Sequence, residues 1–161
     1  MSEGKVKIYY GKGHGKSTAA IGNAILVASQ GEEAIVIQFL KGKDERAENF
    51  FKRLEPEVKL FRFAKCQEGF DNLGEEQKAE EIRSLKNGFN YGKKVIATGV
   101  CDLVVLDEIL GLVDLGVITV EELRQMLDAR PDDMEVILTG RVLHDQLREL
   151  ADEIYQIEAE K

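Results

Sequence analysis

The residues from Lys5 to Ala20 form an apolar strand, a glycine-rich turn ending in Gly-Lys-Ser, and the opening of a helix. Three glycines in five positions, Gly11, Gly13 and Gly15, let the backbone turn its N–H groups inward around an anion. Lys16 adds a point charge, and the helix that follows directs its positive end at the same spot. Ser17 is placed to ligate the Mg²⁺ that accompanies a nucleoside triphosphate. The residues Gly11, Lys12, Gly13, His14, Gly15, Lys16, Ser17 and Thr18 are therefore the expected nucleotide-binding loop, His14 contributing its backbone N–H. A chain with this beginning has to supply a sheet whose strand ends and helix starts converge on a phosphate.

The spacing departs from the common pattern G-x-x-x-x-G-K-[ST] at one position, where Tyr10 replaces the first glycine. The dinucleotide fingerprint G-x-G-x-x-G fails outright, because counting from Gly11 and Gly13 its last glycine falls on Lys16. The turn is a P-loop variant and not a Rossmann turn. A bare glycine turn would explain the glycines but leave the Lys-Ser pair without a reason.

At 161 residues the chain, 1–161, reads as a single P-loop nucleotide-binding domain with enough length to bury a core unaided. A net charge of −8 with no basic run argues against nucleic acid as a partner. No apolar run approaches a membrane span and no signal-peptide pattern precedes the first strand, so the expectation is a cytoplasmic protein with no membrane partner. Cys66 and Cys101 have no metal-ligand spacing and read as small buried apolar side chains in a reducing compartment.

Strand-like and helix-like segments alternate along the chain. A helix over residues 16–30 is closed by Gly31. Residues 34–40 are nearly continuous in apolar side chains, as in a strand covered on both faces. A polar stretch from Lys41 to Asn49 leads into a short helix, and residues 58–63 read as a strand. A loop without periodicity spans 64–74. Residues 75–98 carry Ala79, Ile82, Leu85, Phe89 and Ile96 at helical spacing, with Gly88 and Gly92 as candidate breaks. A buried strand over 102–108 ends in two carboxylates, and Thr119 with Glu122 forms a capping box for a helix through Leu127, with Pro131 after its end. Residues 135–139 form a further central strand, 143–150 a short helix that includes His144, and 153–157 a closing strand whose place in the sheet stays open. The pattern predicts an α/β, P-loop NTPase-like (RecA-like) three-layer fold with a mainly parallel sheet of about six strands and ligands at their carboxyl ends.

Four apolar residues before Asp107 and Glu108 make a Walker B strand, whose end faces the ion held by the P-loop hydroxyl. Ser17, Asp107 and Glu108 are the expected metal residues, and Lys16 and Glu108 the expected catalytic ones. Thr139-Gly140-Arg141 closes the next strand at the same sheet edge, where Arg141 matches either a phosphate or a carboxylate.

Together these residues resemble the P-loop type of ATP:corrinoid (cob(I)alamin) adenosyltransferases, which make the adenosylated form of vitamin B12. The run Gly11-Lys12-Gly13-His14-Gly15-Lys16-Ser17-Thr18-Ala19-Ala20 follows that family's Gly-x-Gly-x-Gly-Lys-Thr-Thr-Ala-Ala loop and shares its missing first glycine. The likeness extends through Val36-Ile37-Gln38-Phe39-Leu40-Lys41-Gly42, Val104-Val105-Leu106-Asp107-Glu108, Ala129-Arg130-Pro131, Ile137-Leu138-Thr139-Gly140-Arg141 and Leu150-Ala151-Asp152.

The resemblance implies ATP, Mg²⁺ and a corrinoid substrate, a homodimer, and a flavodoxin-like reductant. It implies attack of Co(I) on the 5′ carbon of ATP, with intact triphosphate as leaving group. The family carries aromatic residues, a Trp among them, before its long helix. This chain has no Trp, and Phe70 is the aromatic in the corresponding loop, which makes it the candidate corrinoid contact. Two other readings of the same motifs are a P-loop ATPase or small-molecule kinase, which releases inorganic phosphate, and a non-catalytic ATP-binding sensor module.

Overall fold

Five of the six strands are five or six residues long, and the fully buried runs of β2 (Ala34–Gln38) and β4 (Leu103–Asp107) mark the middle of the sheet. Our computed structural model describes residues 4–40, 44–64 and 70–161. With β1 (Val6–Tyr10), β3 (Val58–Arg62), β5 (Glu135–Gly140) and β6 (Glu153–Gln156), the strands form one sheet in the order β3-β2-β4-β5-β1-β6. Every neighbouring pair is parallel. All carboxyl ends therefore open on one edge, where parallel α/β sheets bind ligands. β5 lies between β1 and β4, so the axes of those two strands run about 9–10 Å apart, two strand spacings, and side chains reaching over the end of β5 close that distance.

Two apolar layers cover the sheet. On one side Ala20 and Ala24 of α1 (Lys16–Ser29), both fully buried, pack with Tyr9, Val36, Val105 and Ile137. Their small side chains let the helix that starts the phosphate site lie close to the strands. On the other side Ile37, Phe39, Leu106 and Leu138 meet Leu85 and Phe89 of α3 (Glu75–Thr98) and Leu123 and Met126 of α5 (Val120–Asp128). α2 (Glu45–Lys52) is capped by Asp44, whose side chain accepts from the Ala47 N–H at 3.2 Å. The expected box at α5 is present: the Glu122 N–H donates to Thr119 Oγ1, and the Thr119 N–H donates to Glu122 Oε1, each at 3.0 Å.

The structure departs from the sequence expectations in four places. α3 runs unbroken through Gly88 and Gly92, because at Gly88 the missing Cβ leaves room for the Phe63 ring, whose Cγ would lie 2.6 Å from it. A helix not foreseen, α4 (Ile109–Asp114), follows β4 directly; it buries Ile109, Leu110 and Leu112 but is too short to show a period. The helix expected over 143–150 contracts to α6 (Asp145–Arg148), and His144 stands before it as the capping residue and not within it. Inside the loop expected over 64–74, Phe70–Asn72 form a 3₁₀ turn. Lys41 and Gly42 of the quoted motif, and Cys66, lie outside the described residues; Cys101 is buried as expected. No described helix is long and apolar enough to cross a membrane.

Candidate active site

The P-loop is a backbone feature. Gly11 has φ 148° and Gly15 φ 116°, conformations that L side chains rarely adopt. A Cβ at Gly11 would lie 1.9 Å from the carbonyl oxygen of Ile157. The glycine this loop needs is therefore at position 11, and Tyr10 is free to end β1 in register with Gly140. The Ile157 N–H donates to the Tyr10 carbonyl at 2.8 Å, so the segment after β6 lies against the loop. Gly15 caps α1 without a side chain, leaving the N–H groups at the helix start to be met by a ligand. Lys12, His14 and Thr18 are exposed along the loop.

At the last rung of the sheet, polar side chains replace apolar ones. Register pairs Gln38 with Asp107 and Thr139 with Tyr9, all four side chains buried. Ser17 Oγ and Thr139 Oγ1 both donate to Asp107 Oδ1 at 2.7 Å, and Gln38 Nε2 donates to Asp107 Oδ2 at 3.1 Å. The Asp107 carboxylate, fully buried, is thus oriented by side chains from α1, β2 and β5. Thr139 Oγ1 also accepts the Glu108 N–H at 2.8 Å. That bond helps hold Glu108 in the left-handed region at φ 67°, where a non-glycine residue is uncommon and strain marks a functional position. So turned, Glu108 places Oε1 3.3 Å from Lys16 Nζ. The lysine is 8% exposed, and a buried ammonium needs this partner when no phosphate is present.

Glu108 has a second neighbourhood. It lines a cleft of about 450 Å³ walled by Leu40, Phe70, Leu110, Leu115 and Val142, with Asp71, Asp114 and Arg141 as its charged members. Arg141, expected on a phosphate or a site carboxylate, is exposed on this wall and makes no ion pair with a described residue. Phe70 faces the same cleft, and Lys78 Nζ sits 5.5 Å from its ring centroid. His144 Nε2 lies 3.1 Å from Asp114 Oδ1 beside it. Among the described residues, Glu108 both pairs with the P-loop lysine and lines the apolar cleft.

The family model described as ATP:corrinoid adenosyltransferase BtuR/CobO/CobP matches residues 2–161. The chain belongs to the ATP:corrinoid adenosyltransferase family. Curated relatives agree: the corrinoid adenosyltransferase of Escherichia coli (strain K12) is 31% identical over 96% of this chain and 76% of its own. Corrinoid adenosyltransferase CobA of Salmonella typhimurium (strain LT2) is 32% identical over the same shares. Among solved structures, the KaiC-like protein PH0186 of Pyrococcus horikoshii OT3 superposes with a TM-score of 0.63 at 17% identity, over 97% of this chain and 73% of that one. At that identity the likeness concerns the fold alone, and it agrees with the RecA-like expectation.

Two features of this adenosyltransferase chain were not singled out from the sequence. Gln38 belongs to a quoted motif, but its place beside Asp107 depends on β2 and β4 being neighbours, with Phe39 and Leu40 following it to the sheet edge. The packing of Ile157 on Gly11 depends on β6 adding beside β1.

Proposed function

We propose that this chain, acting as one nucleotide-binding domain over residues 1–161, transfers the 5′-deoxyadenosyl group of ATP to the cobalt of a reduced corrinoid. The observation that carries this reading is the position of Glu108, which touches the P-loop lysine and also lines the apolar cleft. Displacement at carbon needs the nucleophile on the side of that carbon opposite the leaving group. A triphosphate in the loop and the flat conjugated face of a corrinoid against the cleft would flank a 5′ carbon between them.

In this reading Lys16 and the N–H groups at the start of α1 hold the triphosphate as the C5′–O bond breaks, stabilising charge that grows on the leaving oxygen. Lys16 exchanges its pairing with Glu108 for phosphate, which frees Glu108 at the boundary of the two subsites. Gly11, Lys12, Gly13, His14, Gly15, Ser17 and Thr18 line the phosphate path. Phe70 offers a ring, and Arg141 a cation, to the corrinoid and its periphery.

The donor set at the P-loop fits Mg²⁺. Hard oxygen groups, the Ser17 hydroxyl and the Asp107 and Glu108 carboxylates, converge there, and among the described residues no cluster of His, Cys, Asp or Glu would hold a metal alone. Mg²⁺ commonly completes its shell with phosphate oxygens and water. Bound there, the ion would offset triphosphate charge. Ser17 would ligate it through a lone pair while its O–H goes on donating to Asp107. The family reading also supports a homodimer, a cytoplasmic location and a flavodoxin-like electron donor.

The test is an anaerobic assay with ATP, Mg²⁺ and chemically reduced cob(I)alamin, following the visible spectrum of the adenosylated product and the triphosphate released. Equal amounts of the two are expected. Release of inorganic phosphate in place of triphosphate would identify a hydrolase or kinase, and bound ATP without any product would identify a sensor.

A further inference from the structure

Gln38 is 3% exposed at the end of β2, on the face of the sheet that carries α1, and its side chain is half used. Asp107 is its register partner, and an ionised carboxylate only accepts hydrogen bonds. The Gln38 amide must therefore turn its NH₂ toward Asp107, where Nε2 donates to Oδ2 at 3.1 Å. That fixes which way the oxygen goes. Gln38 Oε1 is buried and has no hydrogen-bond partner among the described residues. Buried side-chain acceptors are nearly always paired, and one that is not calls for a ligand or ordered water. A Leu or Met of similar size would fill this position without leaving an acceptor unmet.

The other atoms of the cluster narrow what Oε1 accepts. Asp107 Oδ1 is taken by Ser17 and Thr139, so the carboxylate that holds the glutamine amide also holds the P-loop hydroxyl. A donor reaching Oε1 next to this group has to be small enough for a buried position and favoured by the adjacent carboxylate. Water bound to a divalent cation meets both conditions, because the ion polarises its O–H bonds and makes it a strong donor. The geometry points to Gln38 as a positioning residue of the metal: its amide aligns Asp107 through Nε2 and accepts a hydrogen bond from metal-bound water through Oε1. This inference rests on the Mg²⁺ reading above and names a residue that reading does not include. Outer-shell groups of this kind change metal affinity by about 10–100-fold when removed.

The experiment measures ATP affinity by titration calorimetry across a Mg²⁺ series, with the thermal midpoint recorded for each variant. In Gln38→Met, which keeps the volume and loses both polar atoms, the Mg²⁺ concentration for half-maximal enhancement of ATP binding should rise by about 10–100-fold. Metal-free ATP binding should change by much less than the Mg²⁺ dependence, because Gln38 donates to Asp107, a residue of the metal reading, and not to the P-loop backbone. A lowered thermal midpoint with an unchanged Mg²⁺ series in Gln38→Met would make Gln38 a structural residue and overturn the inference. A parent protein whose ATP affinity ignores Mg²⁺ would overturn the metal reading, and this inference with it.

Discussion

Thr139 joins the two acidic residues of the site, since one hydroxyl donates to Asp107 and accepts from the Glu108 N–H. Thr139→Val keeps the shape and removes both bonds. We expect it to cost about 1–3 kcal/mol in urea unfolding, with most of the loss restored in Thr139→Ser. Lys16→Ala should abolish measurable triphosphate binding by calorimetry while the circular dichroism stays native, because its partner Glu108 is 15% exposed at the side chain and can be hydrated. Cys101 makes the opposite kind of prediction. Burial pushes its thiol up to about 12, so the reactive thiolate is absent near neutral pH. Iodoacetamide at pH 8 should leave Cys101 unmodified in the native protein by peptide mapping and label it after unfolding. At this scale the sequence showed which residues carry charge and hydroxyls but not which of them meet. Asp107 and Glu108 stood out because they close an apolar strand in a chain that already carries a P-loop, whereas Gln38 looked like an interruption in one. Arg141 was legible only as a cation at the right sheet edge, and the wall it occupies was set by α4, a helix the pattern did not reveal.

Elements that repeat a period over several turns were legible, and those held by their neighbours were not. α1 was legible from the P-loop before it and from Gly31 after it, and α3 from its helical spacing. α4 is one and a half turns long, with its apolar residues fixed by burial against Leu40 and the core, so no local signal separates it from a loop. The glycines of α3 misled for a related reason. Propensity counts each one as a weak point, but Gly88 is where α3 and Phe63 approach. Two substitutions separate these effects. Gly22→Ala in α1 has no atom within 4 Å of the new Cβ and should stabilise the protein by about 0.5–1 kcal/mol. Gly88→Ala has the same propensity gain but places its Cβ 2.6 Å from Phe63 Cγ, and should destabilise by about 1–3 kcal/mol. Denaturant midpoints of the two variants, moving in opposite directions, check both.

Across the molecule, the order β3-β2-β4-β5-β1-β6 converts separated sequence motifs into one site. With β5 between them, the strands that carry the P-loop and the acidic end lie about two spacings apart, and the side chains of Lys16, Ser17 and Thr139 span that distance to Asp107 and Glu108. The alternation of strands and helices announced a parallel sheet, but not the strand order, since β6 adds at the far edge beside β1 without a turn motif to direct it. That placement brings Ile157 onto the P-loop, and removal of residues 157–161 should weaken ATP binding by roughly three- to tenfold in calorimetry, about the worth of one backbone hydrogen bond. Adenosyl transfer, the proposed reaction, requires that the bond to carbon break and that the triphosphate leave intact. ATP labelled with ¹⁸O at the 5′ bridging oxygen tests this in a single turnover with reduced corrinoid, read by mass spectrometry of the phosphate products. We expect the label in free triphosphate and an adenosylated corrinoid without it; label retained on ADP or adenosine, with phosphate released unlabelled, would contradict attack at carbon.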